Sequence, residues 1–122
     1  MPQNRRALIA VLLLAAVTAL KATEVSGRWT GTLSPANGQQ EAFLLVLQQN
    51  GTKLTGTAGA NDSDRHPLEE GAIENDRVTF QVAIPNSRLM FDLRVNGDEM
   101  NGIMSAKSGE RVLDTARVSI KR

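Results

Sequence analysis

Val78-Thr79-Phe80-Gln81-Val82-Ala83-Ile84 and, after Pro85-Asn86-Ser87, Leu89-Met90-Phe91-Asp92-Leu93-Arg94-Val95 place large apolar side chains on every second residue. Period two over seven residues would scatter those side chains around a helix, but it lines them up on one face of a strand. The pair therefore reads as a hairpin with one buried face. Working outward, Met100, Gly102, Met104 and Ala106 repeat the alternation more weakly, and Phe43, Leu45 and Leu47 repeat it upstream. Leu44 and Val46 then point outward, so that strand is apolar on both faces. A neighbouring segment or a second copy of the chain, as a homodimer through this strand, is expected to cover them.

Turn signals punctuate the whole chain beyond Val25. They are Pro35-Ala36-Asn37-Gly38, Asn50-Gly51, Asn61-Asp62-Ser63-Asp64, Asn75-Asp76, Pro85-Asn86-Ser87, Asn96-Gly97-Asp98 and Lys107-Ser108-Gly109-Glu110. Asn and Gly tolerate the positive φ of tight turns, and Asp and Ser bond back to their own backbone. Seven turns imply eight strands, and the spacing of roughly 10 to 13 residues is that of a sandwich or barrel. Glycines inside Lys53-Leu54-Thr55-Gly56-Thr57-Ala58-Gly59 and Gly71-Ala72-Ile73 favour the barrel, because its strands must bend or approach closely. The predicted fold is all-β, a single eight-stranded antiparallel up-and-down barrel after an N-terminal signal helix.

The N-terminus has a different character. Asn4-Arg5-Arg6 precedes an apolar run from Ala7 to Leu20, interrupted only by Thr18, and then Lys21-Ala22-Thr23. A basic start, an apolar middle and a small-residue exit make a secretory signal peptide over residues 1–22, with cleavage after Ala19 or, preferably, Ala22. The apolar run is shorter than the ~20 residues a spanning helix needs, so no membrane anchor is expected after cleavage. The flanks of Arg5-Arg6 do not fit a twin-arginine signal. The barrel would occupy residues 23–122, in the periplasm or outside the cell. Without cysteine it has neither a lipid-attachment site nor disulfides.

Of 14 lysines and arginines, three (Arg5, Arg6 and Lys21) lie in the leader, leaving 11 against 13 acidic residues. A mildly acidic mature chain argues against nucleic acid, which wants a basic footprint. Four aromatics, Trp29, Phe43, Phe80 and Phe91, are also few for a sugar-binding surface.

Gly27-Arg28-Trp29, near the start of the first strand, resembles the G-x-W of the lipocalin and avidin superfamily. Leu54-Thr55-Gly56-Thr57 looks like the third strand of avidins, and Ala116-Arg117-Val118-Ser119-Ile120 like their last strand. The chain from Val25 to Ile120 is also similar to small exported bacterial domains that read G-x-W-x-G, then L-x-Q-x-G-x-x-L-T-G-T, then G-x-I. This resemblance implies that Trp29 plugs one end of the barrel beside Gly27, with a basic residue across its indole. Arg117 matches that residue best, with Lys121 and Arg122 as alternatives, since the inward face of the last strand is open between Val112-Asp114-Ala116-Val118-Ile120 and Leu113-Thr115-Arg117. Biotin is not expected, because no tryptophan or tyrosine follows Trp29. Any cavity should be small.

Catalytic patterns fail on inspection. A calcium loop counted from Asp62 would need glycine where Pro67 stands, so His66 reads as part of a solvated loop rather than a metal centre. No Gly-x-Ser-x-Gly elbow accompanies the single histidine. Glu69-Glu70 and Asp98-Glu99 sit beside turns as solvating charges. Asp114 is different, because one parity of the last strand buries it, where a polar ligand head group would have to compensate it. The expectation is a non-catalytic exported barrel without cofactor or metal. Its small, mostly apolar ligand would lie among Phe43, Leu45, Phe80, Val82, Phe91, Leu93, Met104 and Asp114. The alternative is a periplasmic protein-binding module, such as a hydrolase inhibitor acting through a rim loop.

Overall fold

The structure, a computed structural model, describes residues 23–122. The expected signal helix falls outside the described residues. Strand segments run in chain order as β1 (Gly27–Pro35), β2 (Glu41–Asn50), β3 (Lys53–Asn61), β4 (Asp64–Pro67), β5 (Glu69–Glu74), β6 (Arg77–Ile84), β7 (Ser87–Asn96), β8 (Glu99–Ser108) and β9 (Arg111–Lys121). Every pairing is antiparallel between chain neighbours, except that β3 also meets β5 and β9 returns to β1, which closes the sheet. The molecule is an all-β, closed, eight-stranded barrel whose fourth stave is broken into β4 and β5.

Each expected turn falls between two strands. The break within the fourth stave has a local cause. Pro67 brings no N–H to the ladder, the chain then turns at Leu68, and Glu70 adopts a positive φ of 50° within a register shift between Glu69 and Ala72. Leu68 keeps its own backbone bonded by donating from N–H to the Gly56 carbonyl at 3.0 Å.

The interior follows the alternation. Trp29, Phe43, Leu45, Leu47, Leu54, Ala58, Val78, Phe80, Val82, Phe91, Leu93, Met100, Val118 and Ile120 form one buried cluster. Across it the Phe80 and Phe91 rings stack with centroids 4.5 Å apart, and Phe91 stacks on Phe43 at 5.3 Å. Three rings in series fill the waist of the barrel. Close strand approach explains the glycines: a Cβ on Gly56, at φ 139°, would fall 1.9 Å from the Val46 carbonyl oxygen.

Burial of Ala116, Val118 and Ile120 fixes the inward parity of the last strand. Asp114 shares that parity but is exposed, because β1 ends at Pro35 opposite Ala116 and β9 continues past it. An irregularity at Ala106–Lys107 skips Leu113 in the β8–β9 register, and both Val112 and Leu113 stand 52% exposed. On β2, Leu44 is 3% exposed although it lies outside the interior cluster. Arg28 on the outer side of β1 grips Asp62 in the β3–β4 turn with two hydrogen bonds of 2.9 and 2.8 Å. That pair spans β2 on the face that carries Leu44 and Val46.

Candidate functional site

The two ends of the barrel differ. At the end where β1 begins and β9 stops, Trp29 is fully buried and its Nε1 donates to the Val25 carbonyl at 3.0 Å. Val25 is held in turn, its N–H donating to Gln49 Oε1 at 2.9 Å. The guanidinium above the indole belongs to Arg122, whose Cζ is 4.6 Å from the ring centroid. Arg122, one of the two alternatives to Arg117, takes this place instead of Arg117, which lies on the outward parity between the buried Ala116 and Val118. The physical reason is position along the barrel. Arg117 pairs with Ser34, far along β1 from Trp29, whereas the chain beyond Lys121 arrives beside Gly27.

Arg122 does more than cover the ring. Its Nη1 donates to the carbonyls of Glu24 and Ser26 at 3.2 Å, and its Nε and Nη2 reach Asp98 Oδ1 at 3.2 and 3.1 Å. Gly27 leaves it room, for a Cβ there would lie 3.2 Å from Arg122 Cδ on a backbone at φ 137°. Gly27, Trp29 and Arg122 form the closed end.

The opposite end is open. Pairing of β2 with β3 stops at Leu44 opposite Gly59, so the strand ends part and Glu41–Phe43 have a free edge. At that parting lies a cavity of about 330 Å³, lined by Leu33, Ala58, Phe43, Val82, Ile84, Leu89 and Phe91 below, with Glu41, Asp64 and His66 at its lip. His66 belongs to β4 and stands opposite inward-facing Ala58, so it is not part of a solvated loop. Its Nε2 is 3.1 Å from Asp64 Oδ1. A second recess, around the β1–β2 loop, shares Glu41 and adds Asp114.

The expected ligand residues therefore separate. Phe43, Val82 and Phe91 line the cavity. Leu45 and Leu93 are fully buried in the solid part of the barrel, Phe80 closes the waist, and Met104 packs partly buried against the cluster. Asp114 sits at the rim, where its Oδ1 accepts from the Thr115 N–H at 2.8 Å. Leu33, Ile84 and Leu89 were not expected in the site, although each continues the inward parity of Trp29, Val82 or Phe91. His66 was passed over because no sequence pattern shows that β4 folds its histidine back over the opening. Among the described residues no group of three metal-binding side chains comes together. No protein-family model, no curated protein and no solved structure matches the chain.

Proposed function

We propose that this chain is an exported, non-catalytic barrel of the lipocalin and avidin type that holds a small, mostly apolar ligand at its open end. On this reading residues 1–22 are removed and the mature barrel works in the periplasm or outside the cell. The observation that carries it is the cavity of about 330 Å³ where β2 and β3 part, with an apolar floor and a few polar groups at the lip. That combination, and that size, is typical of sites for small molecules. The lining supports binding over catalysis, since beside His66 and two carboxylates it offers no hydroxyl or thiol nucleophile. Native mass spectrometry of protein purified from its own host tests the reading. A retained mass of small-molecule size, lost when Ala60 at the cavity edge is replaced by Trp, is the expected result. A ligand-free mass together with no uptake of small apolar alcohols would overturn it.

A second reading rests on a different observation. The β8–β9 hairpin runs past the end of β1 and exposes Val112 and Leu113, with the backbone of β9 from Arg111 to Asp114 unpaired on that side. Such an edge suits the grip of a protein partner. The same spectra would then show an added mass of protein size.

A further inference from the structure

One wall of the cavity, carrying Ala58, Gly59, Ala60, Asp64 and His66, is the outer arm of the β3–β4 hairpin. Beyond Gly59 this arm is bonded along neither flank. On one side the pairing of β2 with β3 ends at Leu44 opposite Gly59. On the other, β4 pairs with β3 alone, and the rungs of β6 on that flank end at Gln81 opposite Glu69 of β5. The arm is also irregular where it would bend, with a register shift between Gly59 and Asn61 on one strand and Pro67 closing the other. Among the described residues a single side-chain tie joins it to the rest of the barrel. Arg28 on β1 donates to both carboxylate oxygens of Asp62 at the tip, at 2.9 and 2.8 Å. The other ion pairs of the arm, Arg65 with Asp62 and His66 with Asp64, lie within it.

A hairpin arm free on both flanks and pinned at its tip has the construction of a flap with a latch. We propose that the β3–β4 arm swings outward to admit ligand to the cavity, and that the Arg28–Asp62 pair is its latch. Bending beyond Gly59 breaks no rung to β2 or β6, so the latch is the main restraint on opening. The swing widens two gaps at once, one beside Glu41–Phe43 and one beside Val82–Ile84, and both lead to the apolar floor. Arg28 and Asp62 do not line the cavity, so they set the rate of entry and release rather than the strength of binding. This inference rests on the ligand-binding reading and adds the route by which the ligand enters.

The absence of cysteine allows spin labels to be placed at Ser63→Cys in the tip and Arg117→Cys on β9, both exposed positions. Pulsed electron resonance should show one main separation in the otherwise unaltered chain. Adding Arg28→Ala should raise the ratio of longer to shorter separations by about two- to fivefold, which is what loss of one exposed ion pair allows. The exchanged pair Arg28→Asp, Asp62→Arg should restore the original distribution, and melting temperatures check that each variant stays folded. NMR exchange measurements with octanol as the probe complete the test. In Arg28→Ala, association and dissociation should accelerate by the same factor, with Kd unaltered. A distance distribution and octanol rates that do not respond to Arg28→Ala would overturn the latch while leaving the cavity reading intact. Failure of octanol to bind, with the distances still responding to Arg28, would overturn the cavity reading and with it the role of the arm in entry.

Discussion

Arg122, which follows the last strand, lies over the ring of Trp29 on the first, with 4.6 Å between Cζ and the ring centroid. The contact joins the ends of the first and last strands, which is where a meandering barrel must be sealed. Three interactions converge on one guanidinium: the indole face, two carbonyls and Asp98. Replacing Arg122 with Ala should cost about 1–3 kcal/mol, the sum expected of a cation over a ring plus hydrogen bonds to partly exposed carbonyls. Lysine keeps the charge but not the planar fork, so Arg122→Lys should recover less than half of the loss. Arg117→Ala should change the melting temperature very little. Equal effects at 117 and 122 would contradict the assignment of the cap.

Trp29 itself is fully enclosed and fixes Val25 through its indole N–H. Truncation to Ala removes the largest side chain of the core and should destabilise by ~3–5 kcal/mol. Trp29→Phe should cost less, since it retains most of the apolar bulk and loses the bond to the Val25 carbonyl. Denaturant titration followed by circular dichroism measures both, and an unchanged midpoint for Trp29→Ala would remove the tryptophan from its role as plug.

Acid should weaken the barrel through its outer ion pairs. Hydrogen bonds from Arg28 hold the Asp62 carboxyl below its ordinary value, and those from Arg77 do the same for Asp92. Glu24 is lowered in a similar way, chiefly by its hydrogen bond with Ser26. A carboxylate whose pKa is depressed by folding stabilises the native state above the unfolded value of ~4, and that contribution is lost as pH falls through the lower native value. Melting temperature should therefore stay level from neutral pH to about 5 and decline below about 4. The double variant Asp62→Asn, Asp92→Asn should show a shallower decline. Because these groups are largely exposed, the effect should be modest and smaller still in high salt.

The elements of this barrel were legible because each rests on local chemistry. Alternation in Val78–Ile84 and Leu89–Val95 defines a buried face, and Gly51, Asn75, Asn86, Gly97 and Gly109 supply the positive φ of the turns between strands. Trp29 was legible as a plug only through the resemblance that Gly27-Arg28-Trp29 carries. That the basic residue across its indole is Arg122 rather than Arg117 depends on which rung of β1 faces which rung of β9, and register is a property of the closed sheet. The cavity escaped for the same reason. Nothing in Glu41-Ala42-Phe43 announces that β3 leaves β2 beyond Leu44, yet that parting opens the site and lets His66 fold over it. One of the two parities open to the last strand would bury Asp114; the strand takes that parity, and Asp114 is exposed because the neighbouring strand stops short.

The phenyl stack sets the depth of the cavity and yields a test that separates packing from binding. Phe91 stands between Phe43 and Phe80, and of the three rings Phe43 and Phe91 line the cavity while Phe80 lies beyond it. Phe91→Leu and Phe80→Leu both remove one ring from the stack, so each should cost about 1–2 kcal/mol, less than a truncation to Ala. Only the first lowers the floor. Phe91→Leu should therefore shift the preferred alcohol from octanol toward decanol in competitive titration, because the added space is apolar and each extra buried methylene contributes ~0.8 kcal/mol. Phe80→Leu should leave the preferred length unchanged at similar loss of stability. If both substitutions lengthened the preferred ligand equally, the ligand would reach past Phe91 to the waist, and the floor would have to be reassigned to Phe80.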